Sequence, residues 1–438
     1  MMRKAVSREV FLFLCLMMPL RADQQPGSKA TPVPDQVWQK PFVVSPDWLG
    51  RIPPTGSVNV PEFSETLYPG EKLALALGTN GPDHERLLEG ASVNVQVSLA
   101  GHAVYSESKL TQKGSRPIKA EGSDFALAVL KAGGIAMKDQ AGLEKAMAGQ
   151  TLAVFQTEWA APSADNDEDA LLTVTLNGKL SGTSLEPIHI KLRPTASWLK
   201  DTPGTLEEFG KYLNRYHDNL PPGQLLLLLK TAETKGGLNS ASALSFFSMA
   251  FRERPEDRSA AIAAFPSLDP KMKLAVAVAF RLGGLDISGF LPGLPANVTD
   301  SLKNAEALKD PRTSMSYSDP ISVDVVRGIG TTMDECWGGW MATGDKSYLR
   351  ALVGLLSGAS DYPVLENWVK TKGGVKGLNA SVARGLAYQT AGWSIGAFER
   401  ADPHVADWIA YWSADPGFPQ PLVSELASIP VNPAFRHN

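Results

Sequence analysis

Residues 331–358 read TTMDECWGGWMATGDKSYLRALVGLLSG, and this pattern predicts two helices joined by a very short turn. Thr332 and Glu335 have the spacing of a capping box, which predicts that the first helix begins at Thr332. Gly344 can adopt the left-handed conformation that ends a helix, and Asp345 can cap the next helix at once. The stretch therefore predicts a tight pair of antiparallel helices.

Both predicted helices carry broad apolar faces. Trp337, Trp340 and Met341 lie at helical spacing in the first helix. Apolar residues continue through the second helix to Gly358, where we expect it to end. A hairpin with so short a turn buries its indole rings against neighbouring helices, so we expect the second half of the chain to be a helical domain.

Helical periodicity extends from Thr205 to Trp412 on both sides of this hairpin. The predicted helices are about twelve residues long with short connections, which is typical of a helical bundle or a short irregular α-solenoid. The spacing shows no repeat of fixed length. We expect a long loop over residues 283–320, and helices that begin near Thr205, Pro222, Ser240, Pro255, Pro270, Val364, Asn379 and Pro403.

A period-two alternation of apolar and polar residues replaces the helical pattern in residues 61–195. Ser92–Val97 and Thr173–Leu176 alternate most clearly, and Asn177-Gly178 is a signal for a tight turn. Several short strands with one polar face predict an antiparallel β-sandwich-like domain. The chain is therefore predicted to be an α+β multidomain protein, with this β domain before an all-α helical bundle or short irregular α-solenoid.

The first residues predict export from the cytoplasm. Three basic residues precede an apolar run over residues 10–20, which is typical of a signal peptide; an uncleaved anchor is the alternative. Cys15 follows Leu14 instead of a small residue, which disfavours lipidation. We expect a secreted, periplasmic or cell-envelope protein with no transmembrane helix after signal removal. The predicted divisions are a signal peptide at 1–22, a Pro-rich leader at 23–60, the β domain at 61–195, the helical domain at 202–415 and a tail at 416–438.

The net charge and the absence of common catalytic motifs argue against several classes of function. The net charge is -4 and no basic block is present, so nucleic acid is not an expected partner. The sequence contains no HExxH, GxSxG, phosphate-loop or CxxC motif. This pattern favours a non-catalytic binding or scaffold protein for a protein or an envelope polymer, without a cofactor. The alternative is an enzyme acting on an envelope polymer, such as a glycosidase with two carboxylates distant in sequence.

A cluster of acidic residues is the one candidate metal site. Asp165, Asp167 and Asp169 alternate in a predicted loop, and oxygen-rich clusters of this kind suit Ca²⁺. The pattern of an EF-hand stops at Ala170, which favours a solvated acidic hairpin tip over a calcium site. The six histidines share no metal-ligand spacing, and the buried environment expected for Cys336 argues against a reactive thiol.

Tryptophans of the helical half are the candidate binding residues. Trp408 and Trp412 lie four residues apart on one helical face near the chain end, so we predict that they form an exposed pair. Trp340 is a third candidate. Exposed indoles give a sugar or a peptide a rigid contact surface, whereas indoles packed inward are ordinary core residues. The number of small residues beside Trp337 and Trp393 favours the core interpretation for those two.

Two stretches of the helical half resemble a group of secreted bacterial α-helical proteins. Trp337-Gly338 followed by residues 342–345, Ala-Thr-Gly-Asp, is similar to the WG…ATGD hairpin of that group, and Trp393-Ser394 is similar to its later WS helix. The order Pro403-His404-Val405 departs from the group's His-Pro-x-Val, so no role for His404 carries over. The resemblance spans roughly 205–412 and implies export and helical architecture, without an activity.

Overall fold

The computed structural model describes most of the chain from residue 36 to residue 435. The described residues before Asp201 form one compact unit, and those after Thr202 form another. The predicted signal peptide, the predicted helix at 205–216 apart from Leu213, and Gly178 of the predicted tight turn lie outside the described residues. The described ranges are 36–37, 41–46, 48–59, 66–80, 88–119, 150–163, 166–177, 185–193, 213, 224–234, 238, 241–307, 310–371, 373–374 and 377–435.

The first unit contains a six-stranded sheet. Its strands are connected in the order β1-β5-β9-β8-β3, and β2 pairs with β5 beside β1. The long central strands β5 and β9 run antiparallel over their whole length, with Leu75 opposite Phe155. The strands are β1 (Gln36–Val37), β2 (Phe42–Val44), β3 (Val58–Asn59), β5 (Lys72–Asn80), β8 (Gly114–Lys119) and β9 (Gln150–Ala160).

A five-stranded sheet contains the remaining described strands of this unit, in the order β4-β11-β10-β6-β7. Strand β10 lies at its centre and alternates buried and half-buried residues, as the sequence pattern predicted. The strands are β4 (Thr66–Leu67), β6 (Ser92–Leu99), β7 (His102–Thr111), β10 (Glu168–Asn177) and β11 (Ile188–Leu192).

Both sheets are mixed, which corrects the prediction of purely antiparallel pairing. Strand β3 pairs with β8 in parallel, and β4 pairs with β11 in parallel. Each of these parallel strands is only two residues long and lies at the edge of its sheet. Pairs this short carry no alternation signal, so the period-two pattern of the long strands could not reveal them.

Apolar side chains from both sheets form one continuous core. Leu73, Leu75 and Phe155 enter it from the six-stranded sheet, and Val95 and Val174 enter it from the five-stranded sheet. The segment interpreted from the sequence as a Pro-rich leader also packs into this unit. Its β2 pairs with β5, and Trp48 of the short helix α1 (Trp48–Arg51) is 1% exposed.

The described residues of the second unit form helices and the segments that connect them, without a strand. Helix α3 packs along α8, and α11 packs against α10 and against a 3₁₀ helix that spans Leu355–Asp361. The helices are α2 (Leu225–Thr234), α3 (Ala241–Glu253), α4 (Pro255–Ala264), α5 (Pro270–Leu282), α6 (Ala296–Asn304), α7 (Pro311–Ser314), α8 (Val323–Thr343), α9 (Lys346–Gly354), α10 (Tyr362–Lys370), α11 (Ala380–Ala401), α12 (Pro403–Ala414) and α13 (Gln420–Ser428).

The turn between α8 and α9 confirms the predicted hairpin junction. Gly344 has φ 66° and ψ 13°, and its amide donates to the carbonyl oxygen of Trp340 at 2.7 Å. Asp345 caps α9 by accepting the Ser347 amide at 2.8 Å. Because both residues act through their own conformation and short side chains, local sequence was enough to predict the junction.

The outer ends of the hairpin differ from prediction. Helix α8 begins after Ser322, whose hydroxyl accepts the amide of Val325, so the predicted start at Thr332 is wrong. Thr332 lies inside the helix and donates its hydroxyl to the carbonyl oxygen of Gly328 at 3.1 Å. Gly358 does not end α9, since α9 stops at Gly354 and a 3₁₀ helix continues through Gly358.

Two other regions hold more helix than the sequence predicted. The expected loop at 283–320 contains α6 and α7, and the expected tail at 416–438 contains α13. Helices α7 and α13 are short and follow Pro, Gly or Asp residues that we interpreted as loop signals. Within the described part of the chain, none of the helices combines the length and apolar character needed to cross a membrane.

Candidate functional site

The tryptophans predicted as an exposed binding pair are buried. Trp408 is 3% exposed and Trp412 is 4% exposed, so the prediction of exposure is wrong. The ring of Phe418, in the turn after α12, stacks on Trp412 with a centroid distance of 5.6 Å. Trp408 packs against the rings of Trp412 and Tyr411. The segment that we interpreted as a tail thus covers this face of α12.

Trp340 is also buried and is part of the core of the helical unit. Its Nε1 donates to Oδ2 of Asp402 at 2.8 Å, and Asp402 is 0% exposed. The same carboxylate accepts the His404 amide at 2.9 Å and so caps α12. This contact joins the last turn of α8 to the start of α12, 62 residues later in the chain.

The acidic cluster is only partly within the described residues. Asp165 lies outside the described residues, and Asp167 and Asp169 are exposed at the start of β10. Across the described ranges, no group of three or more His, Cys, Asp or Glu side chains is placed to hold a metal ion. The calcium site stays a prediction from the sequence.

A pocket of about 450 Å³ lies within the helical unit. Its described lining combines two arginines, Arg312 and Arg384, with a small apolar floor and two serine hydroxyls. Helix α7, the segment after it, α9, the 3₁₀ helix after α9, and α11 supply these residues. The other lining residues are Met315, Ser316, Tyr317, Ala351, Gly354, Leu355, Ser357, Gly358 and Ala387.

Arg312 anchors one wall of the pocket. Its Nε donates to Oδ1 of Asp310 at 2.8 Å, and its Nη2 donates to Oδ2 at 2.7 Å. Its Nη1 reaches the start of α9, donating to Oγ of Ser347 at 2.9 Å and to Oδ2 of Asp345 at 3.2 Å. The guanidinium also lies over the Tyr348 ring at 4.7 Å. These contacts hold α7 against α9 and raise the pKa of Arg312.

Arg384 lines the pocket from α11. Its Nε donates to Oδ2 of Asp361 at 2.7 Å, and its Nη2 donates to Oδ1 of Asp361 and to Oγ of Ser381. Its Nη1 donates to the carbonyl oxygen of Tyr317 at 3.2 Å. The hydrogen bond from Arg384 keeps the pKa of Asp361 below its usual range. The pocket is therefore held open by two bidentate Arg–Asp pairs.

Two glycines of the floor have opposite roles. A Cβ added to Gly354 would meet nothing within 4 Å, so this position opens onto free space at the pocket. A Cβ added to Gly358 would lie 2.6 Å from the backbone oxygen of Arg384. Gly358 therefore permits the close approach of α11 that places Arg384, whereas Gly354 leaves volume that a ligand can occupy.

Tyr317, which lines the pocket, and Cys336 of α8 are protonated groups at neutral pH. Burial raises the pKa of the Cys336 thiol to about 12, and the thiol is 0% exposed. Burial likewise raises the pKa of Tyr317 to about 12. The expectation that Cys336 is a buried residue is confirmed. At neutral pH its thiol stays protonated, which does not suit a nucleophile.

Sequence reasoning did not identify either arginine of the pocket. Arg312 was assigned to a long loop, although Asp310-Pro311 has the same helix-start pattern as Asp269-Pro270. Arg384 carried no local signal, because its partners Asp361 and Tyr317 lie 23 and 67 residues away.

Asp334 and Glu335 on α8 are carboxyl groups in a partly desolvated setting. Burial raises the pKa of Asp334 to about 6, and burial together with the charge of Asp334 raises the pKa of Glu335 to about 6. Neither side chain forms a hydrogen bond or an ion pair with another described residue. Ionisation of Asp334 therefore opposes folding, and its protonated form is favoured in the folded state.

We expect Asp334→Asn to stabilise the protein at neutral pH. The folded-state pKa of about 6 lies above the ordinary aspartate pKa of 3.8, so wild-type stability is lost as pH rises from 3.8 through about 6. Asparagine does not ionise, so Asp334→Asn does not lose stability in this way as pH rises. Its free energy of unfolding should exceed that of the wild type by about 1–3 kcal/mol at pH 8 and equal it near pH 3.5. Urea denaturation across this pH range measures it. Asp300→Asn, at an exposed position of α6, is the control, and a difference independent of pH would contradict the assignment.

Comparisons with protein-family models, with curated proteins and with solved structures return no match to this chain. The resemblance of the WG and ATGD motifs to secreted bacterial helical proteins therefore stays a prediction.

Proposed function

We propose that this chain is an exported, non-catalytic binding or scaffold protein that holds a ligand in the pocket between Arg312 and Arg384. The observation that carries the proposal is a pocket of about 450 Å³ lined by two arginines, each of which is held in an ion pair with an aspartate. Volumes of roughly 300–1,000 Å³ with a few placed polar groups are typical of ligand sites. The partner would be a protein or an envelope polymer.

The proposal includes an architecture for each of the two units. The apolar core shared by both sheets supports a β-sandwich for the first unit, and the packing of α3, α8 and α11 supports an irregular helical bundle for the second. Export rests on the predicted signal peptide at 1–22. No cofactor is proposed for this function, and calcium enters only through the predicted acidic cluster.

Filling the pocket should abolish binding without harming the fold. In Gly354→Leu the new side chain projects into free space, and the residue has helical φ and ψ of -56° and -30°. We expect the variant to be as stable as the wild type or up to about 1 kcal/mol more stable, because leucine favours helix over glycine. Retention of partners from a cell-envelope extract should fall at least about tenfold.

The matched control is Gly330→Leu. This glycine lies inside α8, and an added Cβ there also meets nothing within 4 Å, but the residue does not line the pocket. It should retain partners as the wild type does. Equal retention by both variants and the wild type would contradict the proposed site.

The rival proposal is an enzyme that acts on an envelope polymer. Asp334 and Glu335 are its candidate acids in the helical unit, because burial raises the pKa of each to about 6. Successive helix residues point about 100° apart, a poor arrangement for flanking one bond. Turnover of an envelope polysaccharide that is lost in Asp334→Asn would favour the enzyme over the binding protein.

A further inference from the structure

We propose that the C-terminal end of helix α10 docks on an anionic lipid bilayer surface. The docking surface, the α10 tip, consists of Trp368, Val369 and Lys370. None of these residues lines the pocket, so this proposal does not depend on the proposed function. Three features of the tip support it: an apolar side chain that leaves the core, an indole ring fixed by a glycine-rich loop, and a local excess of positive charge.

The apolar face of α10 continues past the core of the helical unit. Leu365 is 4% exposed, whereas Val369, four residues later on the same face, is 58% exposed. Val369 is the most exposed large hydrophobic side chain among the described helices. The interfacial layer of a bilayer can take up such a side chain and remove its apolar surface from water, while the rest of the helix stays packed on the protein.

The indole of Trp368 is held at the end of α10 by the loop that follows the helix. Its Nε1 donates to the carbonyl oxygen of Gly374 at 3.1 Å, and Gly374 has φ 58°. A Cβ added to Gly373 would collide with the indole, and one added to Gly377 would lie 3.0 Å from it. The ring is therefore fixed and half-buried, with its N–H group satisfied. Indoles of this kind are typical of the interfacial layer of membranes.

The charges at the tip suit an anionic surface. Lys370 is exposed, and the sequence adds Lys372 and Lys376 in the loop that follows. The side chains of Lys372 and Lys376 lie outside the described residues, so only their charge in the sequence supports this point. Residues 366–379 contain these three lysines and one acidic residue, Glu366. The attraction of a charged membrane falls off within about 10 Å, so this local excess counts for more than the net charge of the chain.

A bilayer accounts for both the apolar and the charged part of the tip. A soluble polyanion or an acidic protein surface would also attract the lysines, but attraction by charge alone does not use the exposed Val369. Anionic lipid offers headgroups to Lys370 and an apolar layer to Val369 and the indole. Because the tip is small, we expect weak and reversible binding.

Co-sedimentation with vesicles tests the proposal on the mature chain, which begins at Asp23 after the predicted signal cleavage. The probes are vesicles of phosphatidylcholine alone and vesicles of equal parts phosphatidylcholine and phosphatidylglycerol. We expect the mixed vesicles to bind the protein at least about tenfold more tightly, and added salt to weaken this binding. Gly354→Leu, which fills the pocket, should bind the mixed vesicles as the wild type does.

Substitutions at the tip separate the apolar contribution from the charge. Val369→Asn keeps the charge and should weaken binding to the mixed vesicles at least about fivefold, because asparagine loses the apolar surface. Lys370→Glu should weaken it at least about tenfold. The matched controls are Val431→Asn, at a position 66% exposed after α13, and Lys303→Glu, at an exposed position of α6. Both controls should bind as the wild type does, and circular dichroism checks the fold of each variant.

A fluorescent thiol probe at residue 369 measures insertion directly. Cys336 is the single cysteine of the mature chain and is buried, so Val369→Cys can be labelled selectively. We expect the emission of the probe to shift to the blue on mixed vesicles, because the probe enters a less polar layer. The same probe in Val431→Cys should show no shift.

Three results would overturn the proposal. The first is equal binding to both kinds of vesicle, or binding to neither. The second is unchanged binding of Val369→Asn and Lys370→Glu. The third is binding that Lys370→Glu weakens without any emission shift at residue 369, since charge alone would then explain it and a soluble polyanion would be the better partner.

Discussion

Gly338→Ala should lower the free energy of unfolding of the helical unit by about 2–4 kcal/mol, because it forces apart two helices in backbone contact. A Cβ at this position of α8 would lie 2.6 Å from Cβ of Ser245, 2.7 Å from the Phe246 nitrogen and 2.9 Å from the Ser242 oxygen. Two of these atoms belong to the backbone of α3. The methyl group therefore fits only if α3 moves.

Gly330→Ala on the same helix is the matched control for this substitution. Its Cβ would meet nothing within 4 Å, so the change should raise the free energy of unfolding by about 0.5–1 kcal/mol through helix propensity. Urea denaturation of both variants measures the contrast in sign. A small or stabilising effect at Gly338 would show that α3 and α8 do not meet as closely as described.

Trp340→Phe should cost about 3–5 kcal/mol, since it combines a lost hydrogen bond with a cavity. The indole is 0% exposed, and its Nε1 donates at 2.8 Å to a carboxylate that is itself fully buried. Phenylalanine has a smaller aromatic ring and no N–H group. The buried carboxylate of Asp402 therefore loses one hydrogen-bond donor in a place that water does not reach. A buried carboxylate that loses a donor bears a large desolvation cost.

Trp337→Phe is the comparison that isolates the contribution of the Trp340 hydrogen bond to stability. Trp337 is 2% exposed and stacks on Phe398 with a centroid distance of 3.8 Å, but its Nε1 has no hydrogen-bond partner among the described residues. This variant should lose less stability than Trp340→Phe, by at least about 1 kcal/mol, because only packing changes. Equal losses in thermal or urea denaturation would contradict a stabilising role for the Trp340–Asp402 contact.

Local sequence predicted the junctions whose chemistry is local. Asp345 caps the helix that follows it, as predicted, and Asp269 and Asn379 cap helices that begin close to the predicted starts. Each cap is formed between a short side chain and an amide two or three residues later, so its evidence lies within one turn of the chain. The alternation of β6 and β10 was likewise predictable, because one face of each strand enters the core.

Sequence signals of similar strength gave wrong predictions where tertiary packing decides which of them the structure uses. Both Ser322 and Thr332 are suitable caps for α8, and the structure uses Ser322. Helical spacing placed Trp408 and Trp412 on one face, but could not show that Phe418 covers that face. The spacing of residues predicts which side chains share a helix face. Whether that face is exposed to solvent depends on the segment that packs against it.

The sequence by itself determined that residues 72–192 contain alternating strands, that residues 225–414 contain helices, and that Gly344 and Asp345 form the turn of the central hairpin. Only the tertiary structure decided which indoles are buried and which arginines form a pocket. The physical reason is the distance in sequence over which each interaction acts. Capping and periodicity act within one or two helical turns. The contacts of Trp340 with Asp402 and of Arg384 with Asp361 form only when whole helices pack together.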